Sequence, residues 1–414
     1  MSITAALARP FRRRRRLQPL EDRGPLKVMF VITSMPVGGA ETLLVNLVRR
    51  MDRERFLPEL CCLKEFGPLG EVLAQEIPAC EKQINHKTDW RVIGRLANRM
   101  YQRQIDAVVT VGTGGDKMFW GRLAAWRAGV PVILSALHST GLPDHVEFPN
   151  RLLEPLTDGF IGCAIPHGEY LARAEGCPKH KVFVIPNGVD VDRFQPRPAE
   201  SELAASIGLP PGAPTVAIVA ALRPEKNHGL FLEAAALTSR NVPESRFLVI
   251  GDGALRPDLE ARAAALGIAD RVLFLGTRRD IPELLGLTNV LALSSHMEAN
   301  PVSILEGLAC GKPVVATRVG SIPETVHEGI SGYLTPPGDA QAMATRLTEL
   351  LRNPESTAEM GAAGRRHVVE NWSLDVMVNG YQSLIQSTYF SKLRKIAGKV
   401  PTASGENVRD LTSV

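Results

Sequence analysis

Four side chains have the types and spacing that suit chemistry: Glu298, Glu306, Arg223 and Lys226. The glutamates flank the start of a helix. Pro301 suits a first helical turn, so Glu298 falls in the loop at the helix mouth and Glu306 about a turn and a half inside. The free N–H groups of such a helix start, around Asn300, Pro301 and Val302, suit an anion or a hydroxyl. Arg223 and Lys226 stand in ALRPEKNHG, just past the apolar run TVAIVA. An arginine grips two oxygens at once and a lysine adds a compact point charge. Carboxylates for hydroxyls, with amides and cations for phosphate, equip a site for a polyhydroxylated molecule beside a phosphate. A solvated pair of loop cations is the ordinary alternative, and a strand's carboxyl end favours the ligand.

Weaker candidates lie at other strand ends. Gly38 and Gly39 in SMPVGGAET precede a helix that Glu41 opens, which suits close approach of an anion or simple turn geometry. The three-glycine dinucleotide spacing is absent. Gly251, Asp252 and Gly253 form a turn that lets backbone lie against a flat ligand, and is also an ordinary turn. His138 follows PVILSA and is placed to donate to a phosphate or a sugar hydroxyl, although a lone loop histidine is more often structural. Asp190 and Asp192 have the spacing of a metal-binding pair, but sit in IPNGVDVDRF at a linker and read as a turn. No metal is expected.

The elements that position these residues alternate. KVMFVITS, PELCCL, DAVVTV, PVILSA, GFIGCA and KVFVIP read as strands with helices between, including ETLLVNLVRRM and WRVIGRLANRMYQRQ. After the proline-rich DVDRFQPRPAE the alternation restarts with TVAIVA, RFLVIG, RVLFLG, NVLALS and KPVVAT. Near-continuous apolar runs are those of parallel strands covered on both faces. The expected fold is therefore α/β, with two doubly wound, Rossmann-like parallel-sheet domains facing across a cleft. The boundaries read as 25–188 for the N-terminal domain and 189–372 for the C-terminal one, followed by a helix over 373–397. Residues 1–24 read as a disordered basic leader and 398–414 as a disordered tail.

The net charge of +4 over 414 residues is small and comes largely from the leader, whose arginine run suits anionic lipid headgroups or nucleic acid; no nucleic-acid partner is expected. The run Arg12–Arg16 lacks the apolar stretch of a signal peptide, and no window has the length and apolarity of a membrane span. Six cysteines without paired C-x-x-C spacing point to a reducing, cytoplasmic compartment. Arg91, Arg95, Arg99 and Arg103 make a basic stripe, read as a solvated helix face, with a lipid-headgroup surface as the other reading. With the leader, it allows peripheral contact with an anionic membrane.

Taken together and in this order, the Gly-Gly-Ala-Glu turn, IPNGVD, Arg-x-x-Lys, Gly-Asp-Gly and ILEGLACGKPVVATRVGSIPE resemble the retaining glycosyltransferases of family 4, with the GT-B fold. The resemblance runs from about Lys27 to about Tyr389. It implies a metal-independent enzyme that uses a nucleotide sugar, UDP- or GDP-linked, as co-substrate and needs no cofactor. By position, Arg223 and Lys226 would hold the donor diphosphate and Glu306 the ribose. Glu298 would meet the donor sugar, with the amides around Asn300 to Val302 near sugar and phosphate. Gly38 and Gly39 would approach the phosphate, and His138 the sugar or phosphate. The last helix would cross back onto the N-terminal domain. The chain departs from the family's usual Gly-Phe-Gly after the first glutamate, carrying Ala299, Asn300 and Pro301 instead, which bears on the donor sugar. The acceptor would be a saccharide or lipid-linked saccharide. A nucleotide-sugar epimerase of the same architecture and a non-catalytic nucleotide-sugar binder are the competing readings.

Overall fold

The computed structural model describes residues 17–19, 24–86, 89–112, 116–137, 151–397 and 409–410, and side chains within these except at 116–118, 396–397 and 409–410. Fourteen strands are described: β1 Leu26–Ile32, β2 Phe56–Cys62, β3 Ala79–Cys80, β4 Ala107–Gly112, β5 Val132–Leu137, β6 Gly159–Gly162, β7 Val182–Val184, β8 Thr215–Val219, β9 Arg246–Ile250, β10 Val272–Gly276, β11 Val290–Leu293, β12 Val314–Thr317, β13 Gly332–Thr335 and β14 Arg409–Asp410. Every strand expected from an apolar run is present. They form two sheets. The first holds seven parallel strands in the order β7-β6-β5-β4-β1-β2-β3, with β14 antiparallel on the outer edge of β7. The second holds six parallel strands in the order β10-β9-β8-β11-β12-β13.

The second sheet shows why its strands are continuously apolar. Val216 and Ile218 of β8, Val290 and Ala292 of β11, and Phe247 and Val249 of β9 pack into one core. Their neighbours Ala217, Leu291, Leu293 and Leu248 pack into the other. Successive residues point to opposite faces, and helices cover both. β3 and β13 offer no such run: the first has two residues, and GYLT carries a glycine whose added Cβ would collide with the Val314 carbonyl.

The chain passes between two compact units after Pro186 and again after Leu374. The second unit is Asn187–Leu374, and the helix Leu374–Ala397 continues into the first. The two passages lie side by side within the second unit. Val189 N–H donates to Trp372 O, and Leu374 N–H donates to Val189 O, both at 2.9 Å. Gly188 permits this, because an added Cβ would stand 2.7 Å from Leu374 Cα.

The arginine stripe is largely tied into the first unit. On the helix Val92–Arg103, Arg95 binds the buried Asp89 at 2.5 Å and Arg99 donates to Ala79 O at 3.2 Å. Arg103 binds the buried Glu59 at 2.9 Å. The stripe therefore braces the edge of the sheet while staying on a solvated helix face: Arg91 is exposed and Arg103 is 43% exposed. Most of the leader and tail lies outside the described residues. Of the leader, Gln18 exchanges hydrogen bonds with the Tyr389 hydroxyl. No helix among the described residues is long and apolar enough to cross a membrane.

Candidate active site

In the second sheet the strand order reverses between β8 and β11, the first and fourth strands of the unit. Such a reversal opens a crevice beyond the carboxyl ends of the strands. The loops that leave β8 and β11 line it, and they carry Arg223, Lys226 and Glu298.

The β8 loop ends in one 3₁₀ turn, Pro224–Lys226, preceded by Arg223. Asn227 then takes a left-handed conformation, φ 46° and ψ 50°, and caps the helix His228–Asn241 by accepting from Leu230 N at 3.4 Å. The β11 loop is stitched to it. Ser294 Oγ donates to Lys226 O and Asn227 O at 3.0 and 2.9 Å, and His296 N–H donates to Glu225 O at 2.9 Å. Across this seam Lys226 Nζ lies 2.6 Å from Glu298 Oε1, and Ser295 Oγ donates to the same oxygen at 2.6 Å. Glu298 is 7% exposed and Lys226 24%. Glu298 Oε2 has no partner among the described residues, and neither has the exposed Arg223 guanidinium.

Gly251 and Gly253 earn their identity from backbone packing. An added Cβ at Gly251, φ 145°, would collide with Ala220 O, and one at Gly253 would meet Leu222 O at 2.5 Å. Asp252 O accepts from Leu222 N at 3.0 Å, while its carboxylate lies 3.6 Å from Arg256. The Gly-Asp-Gly turn is thus a backing plate for the Arg223 loop.

Pro301 is the N-cap of the helix Val302–Ala309 and not part of its first turn, because its ψ of 112° is extended. The N–H groups of Val302 and Ser303 have no acceptor among the described residues. Glu306 is half-buried with no hydrogen-bond partner for its carboxylate among the described residues. Burial pushes that carboxyl up to about 7, against the opposing charge of Arg193. Asn300 is buried; its side-chain Nδ2 donates to Ser321 Oγ at 3.5 Å, and its Oδ1 has no partner among the described residues. Its carbonyl accepts from Asn187 Nδ2 at 3.2 Å.

Three residues near these groups are not singled out by the sequence. Gly320, φ 53°, lies under the main chain of Glu298, where an added Cβ would collide with the Glu298 carbonyl. Gly320→Ala should lower the melting temperature by about 4–8 °C, as expected for a clash at positive φ. An unchanged melting temperature would refute the close approach. His228 is 2% exposed, and burial with the nearby Lys226 charge pushes it down to about 4, against a weak contact with the Ala220 backbone. It is therefore neutral at neutral pH and adds no second cation beneath Lys226. Asn187 is the third; the only signal for it is its place in IPNGVD.

Gly38 and Gly39 belong to the first unit, at the start of the helix Gly39–Arg50. Gly38 has an extended φ of −160°, and nothing lies within 4 Å of an added Cβ at Gly39. Turn strain therefore explains neither glycine. Asp190 Oδ1 accepts from Asp192 N and Arg193 N at 3.2 and 3.1 Å, the turn expected of it. His138 lies outside the described residues.

Two parallel doubly wound sheets in one chain are the architecture of the GT-B fold class. The fold matches Anabaena Alr3699/HepE, solved in complex with UDP, with a TM-score of 0.76 and 22% identity over 87% of this chain and 100% of that one. It also matches WaaG, a glycosyltransferase involved in lipopolysaccharide biosynthesis, with a TM-score of 0.68 and 15% identity over 86% and 99%. Residues 37–193 match the model for Glycosyltransferase Family 4, and residues 200–367 that for glycosyl transferases group 1. The chain is 31% identical over 294 residues to a GDP-mannose-dependent alpha-(1-6)-phosphatidylinositol monomannoside mannosyltransferase of Mycolicibacterium smegmatis, covering 68% of this chain and 69% of the relative. It is 27% identical over 345 residues to the UDP-Gal:alpha-D-GlcNAc-diphosphoundecaprenol alpha-1,3-galactosyltransferase of Escherichia coli, covering 78% and 88%. The chain belongs to glycosyltransferase family 4, and it is a retaining glycosyltransferase that uses a nucleotide sugar.

Proposed function

We propose that this enzyme moves a hexose from a UDP- or GDP-sugar to a hydroxyl of a saccharide or lipid-linked saccharide, without a metal ion. The observation that carries the reading is the Lys226–Glu298 pair at the sheet reversal, with Glu298 Oε2 and Arg223 both without partners among the described residues. Arg223 and Lys226 take the donor diphosphate, joined by the Val302 and Ser303 amides. Glu306 accepts from the ribose hydroxyls, for which a partnerless carboxylate is suited. Glu298 Oε2 and the Asn300 amide oxygen face the transferred sugar.

The bond to be broken joins the anomeric carbon to a phosphate oxygen. Charge develops on the leaving diphosphate, and the Lys226 ammonium, held by Glu298, together with the exposed Arg223 guanidinium stabilises it as it grows. In a retaining reaction the acceptor hydroxyl attacks on the face the diphosphate leaves from, and the departing phosphate oxygen takes its proton. No protein base is needed at that step. The lipid-linked acceptor draws support from the two relatives, whose acceptors are a phosphatidylinositol mannoside and a diphosphoundecaprenol-linked sugar. With such an acceptor the enzyme works in peripheral contact with an anionic membrane, on the cytoplasmic side in this reading.

A thermal-shift panel of UDP-, GDP-, ADP- and TDP-sugars tests the donor class. The matching donor, at about a hundred times its dissociation constant, should stabilise the protein by about 2.7 kcal/mol. No shift with any of the four bases would refute the reading.

A further inference from the structure

We propose that Asn187 is a positioning residue for the sugar-facing turn Glu298–Pro301, holding that turn through its hydrogen bond to the Asn300 carbonyl. The inference rests on the reading that Glu298 faces the donor sugar.

The turn does not support itself. Among the described residues, no main-chain hydrogen bond involves Met297, Glu298, Ala299 or Asn300. Pro301 has no N–H to give, and its carbonyl is spent on Ile304 N. Side-chain bonds tie Glu298 to Lys226 and Ser295 and Asn300 to Ser321 at 3.5 Å, and two contacts bear on the backbone itself. Gly320 lies close beneath Glu298, which limits approach from one side without fixing register. The Asn187 amide, donating to Asn300 O at 3.2 Å, is the directional contact. Asn187 is 6% exposed and Asn300 7%, so water competes little for that bond.

Asn187 is itself held firmly. The next residue, Gly188, is pressed against Ser373 and Leu374, and Val189 is hydrogen-bonded on both sides to the 372–374 stretch. A short side chain on so fixed a backbone delivers its amide to one place. Asparagine meets the requirement because it donates with a single-carbon reach. Aspartate at this position has the same shape but offers a carboxylate oxygen to a carbonyl oxygen. Among the described residues Glu306 and Arg223 make no hydrogen bond with this turn, and Lys226 touches it only through the Glu298 side chain, so nucleotide binding and sugar positioning become separable.

The test uses the full chain and the sugar nucleotide that gives the largest shift in the panel above. Turnover is read as acceptor-independent release of the nucleoside diphosphate, and affinity as the dissociation constant of that free diphosphate. Asn187→Asp and Asn187→Ala should each lower turnover at saturating donor at least tenfold, with diphosphate affinity within about twofold of wild type. Wild-type turnover in either variant would overturn the proposal. So would a loss of diphosphate affinity equal to the loss of turnover, the mark of a general structural defect. Glu298→Ala serves as the parallel arm. If it retains turnover, the reading of the sugar site fails. If it loses turnover while Asn187→Asp does not, only the role of Asn187 fails.

Discussion

Lys226→Met should lower turnover at saturating donor by about 10²–10³-fold, the usual loss when one fixed electrostatic donor to developing charge is removed. The lysine has two tasks in this structure. It offers its ammonium to the leaving diphosphate, and it neutralises Glu298 at 2.6 Å. Glu298 is 7% exposed, and without the lysine only Ser295 Oγ would meet its Oε1. A buried charge stripped of its partner costs about 3–5 kcal/mol, and the 24% exposure of Lys226 reduces that figure here. The single variant should therefore melt earlier as well as turn over slowly. Adding Glu298→Gln should restore most of the melting temperature, because no unpaired charge remains, and leave turnover low. Differential scanning calorimetry with an initial-rate assay reads both. A Lys226→Met enzyme with wild-type turnover would remove the lysine from the chemistry.

Glu306 should make nucleotide affinity depend on pH with a midpoint near 7. Its folded carboxyl is raised above its unfolded value by burial, so the sign runs opposite to that of a salt-bridged acid. At low pH both states are protonated. As pH rises past the ordinary carboxylate range, the unfolded chain releases the proton while the folded chain keeps it, and stability falls until about pH 7. The ribose hydroxyls donate to a carboxylate, so binding favours the ionised form and expels the proton. Below the midpoint, affinity for the sugar nucleotide should drop by up to about tenfold per pH unit, with a plateau above it. Glu306→Gln should abolish that slope and bind about 10–100-fold more weakly on the plateau, as hydrogen bonds to charged groups are worth about 1.5–3 kcal/mol. The same variant should be more stable than wild type above neutrality. Calorimetric titration with the sugar nucleotide across this range measures the slope directly; a flat wild-type profile would contradict the role.

The strands were legible because both faces of each sheet are covered, which writes Val290, Leu291, Ala292 and Leu293 as one apolar run even though they serve two cores. β13 escaped because close backbone approach put a glycine where an apolar side chain would have announced it. The site followed a similar division. Arg223, Lys226 and Glu298 could be assigned to strand ends from local pattern. Their seam could not, since Ser294 and Lys226 are 68 residues apart and Ser294 has no distinctive motif. The same holds for part of the arginine stripe, whose period was visible but whose Arg103 pairs with Glu59 on β2, 44 residues away. Gly320 and Asn187 both fall inside family motifs, but their contacts with Glu298 and Asn300 are long-range, so the motifs alone did not single them out.

The most direct measurement is the structure of the protein bound to the sugar nucleotide selected by the panel. The ribose hydroxyls should lie within hydrogen-bond distance of the Glu306 carboxylate, the diphosphate against Arg223 and Lys226, and a sugar hydroxyl on Glu298 Oε2. A nucleotide bound with its diphosphate away from the β8 and β11 loops would contradict the account.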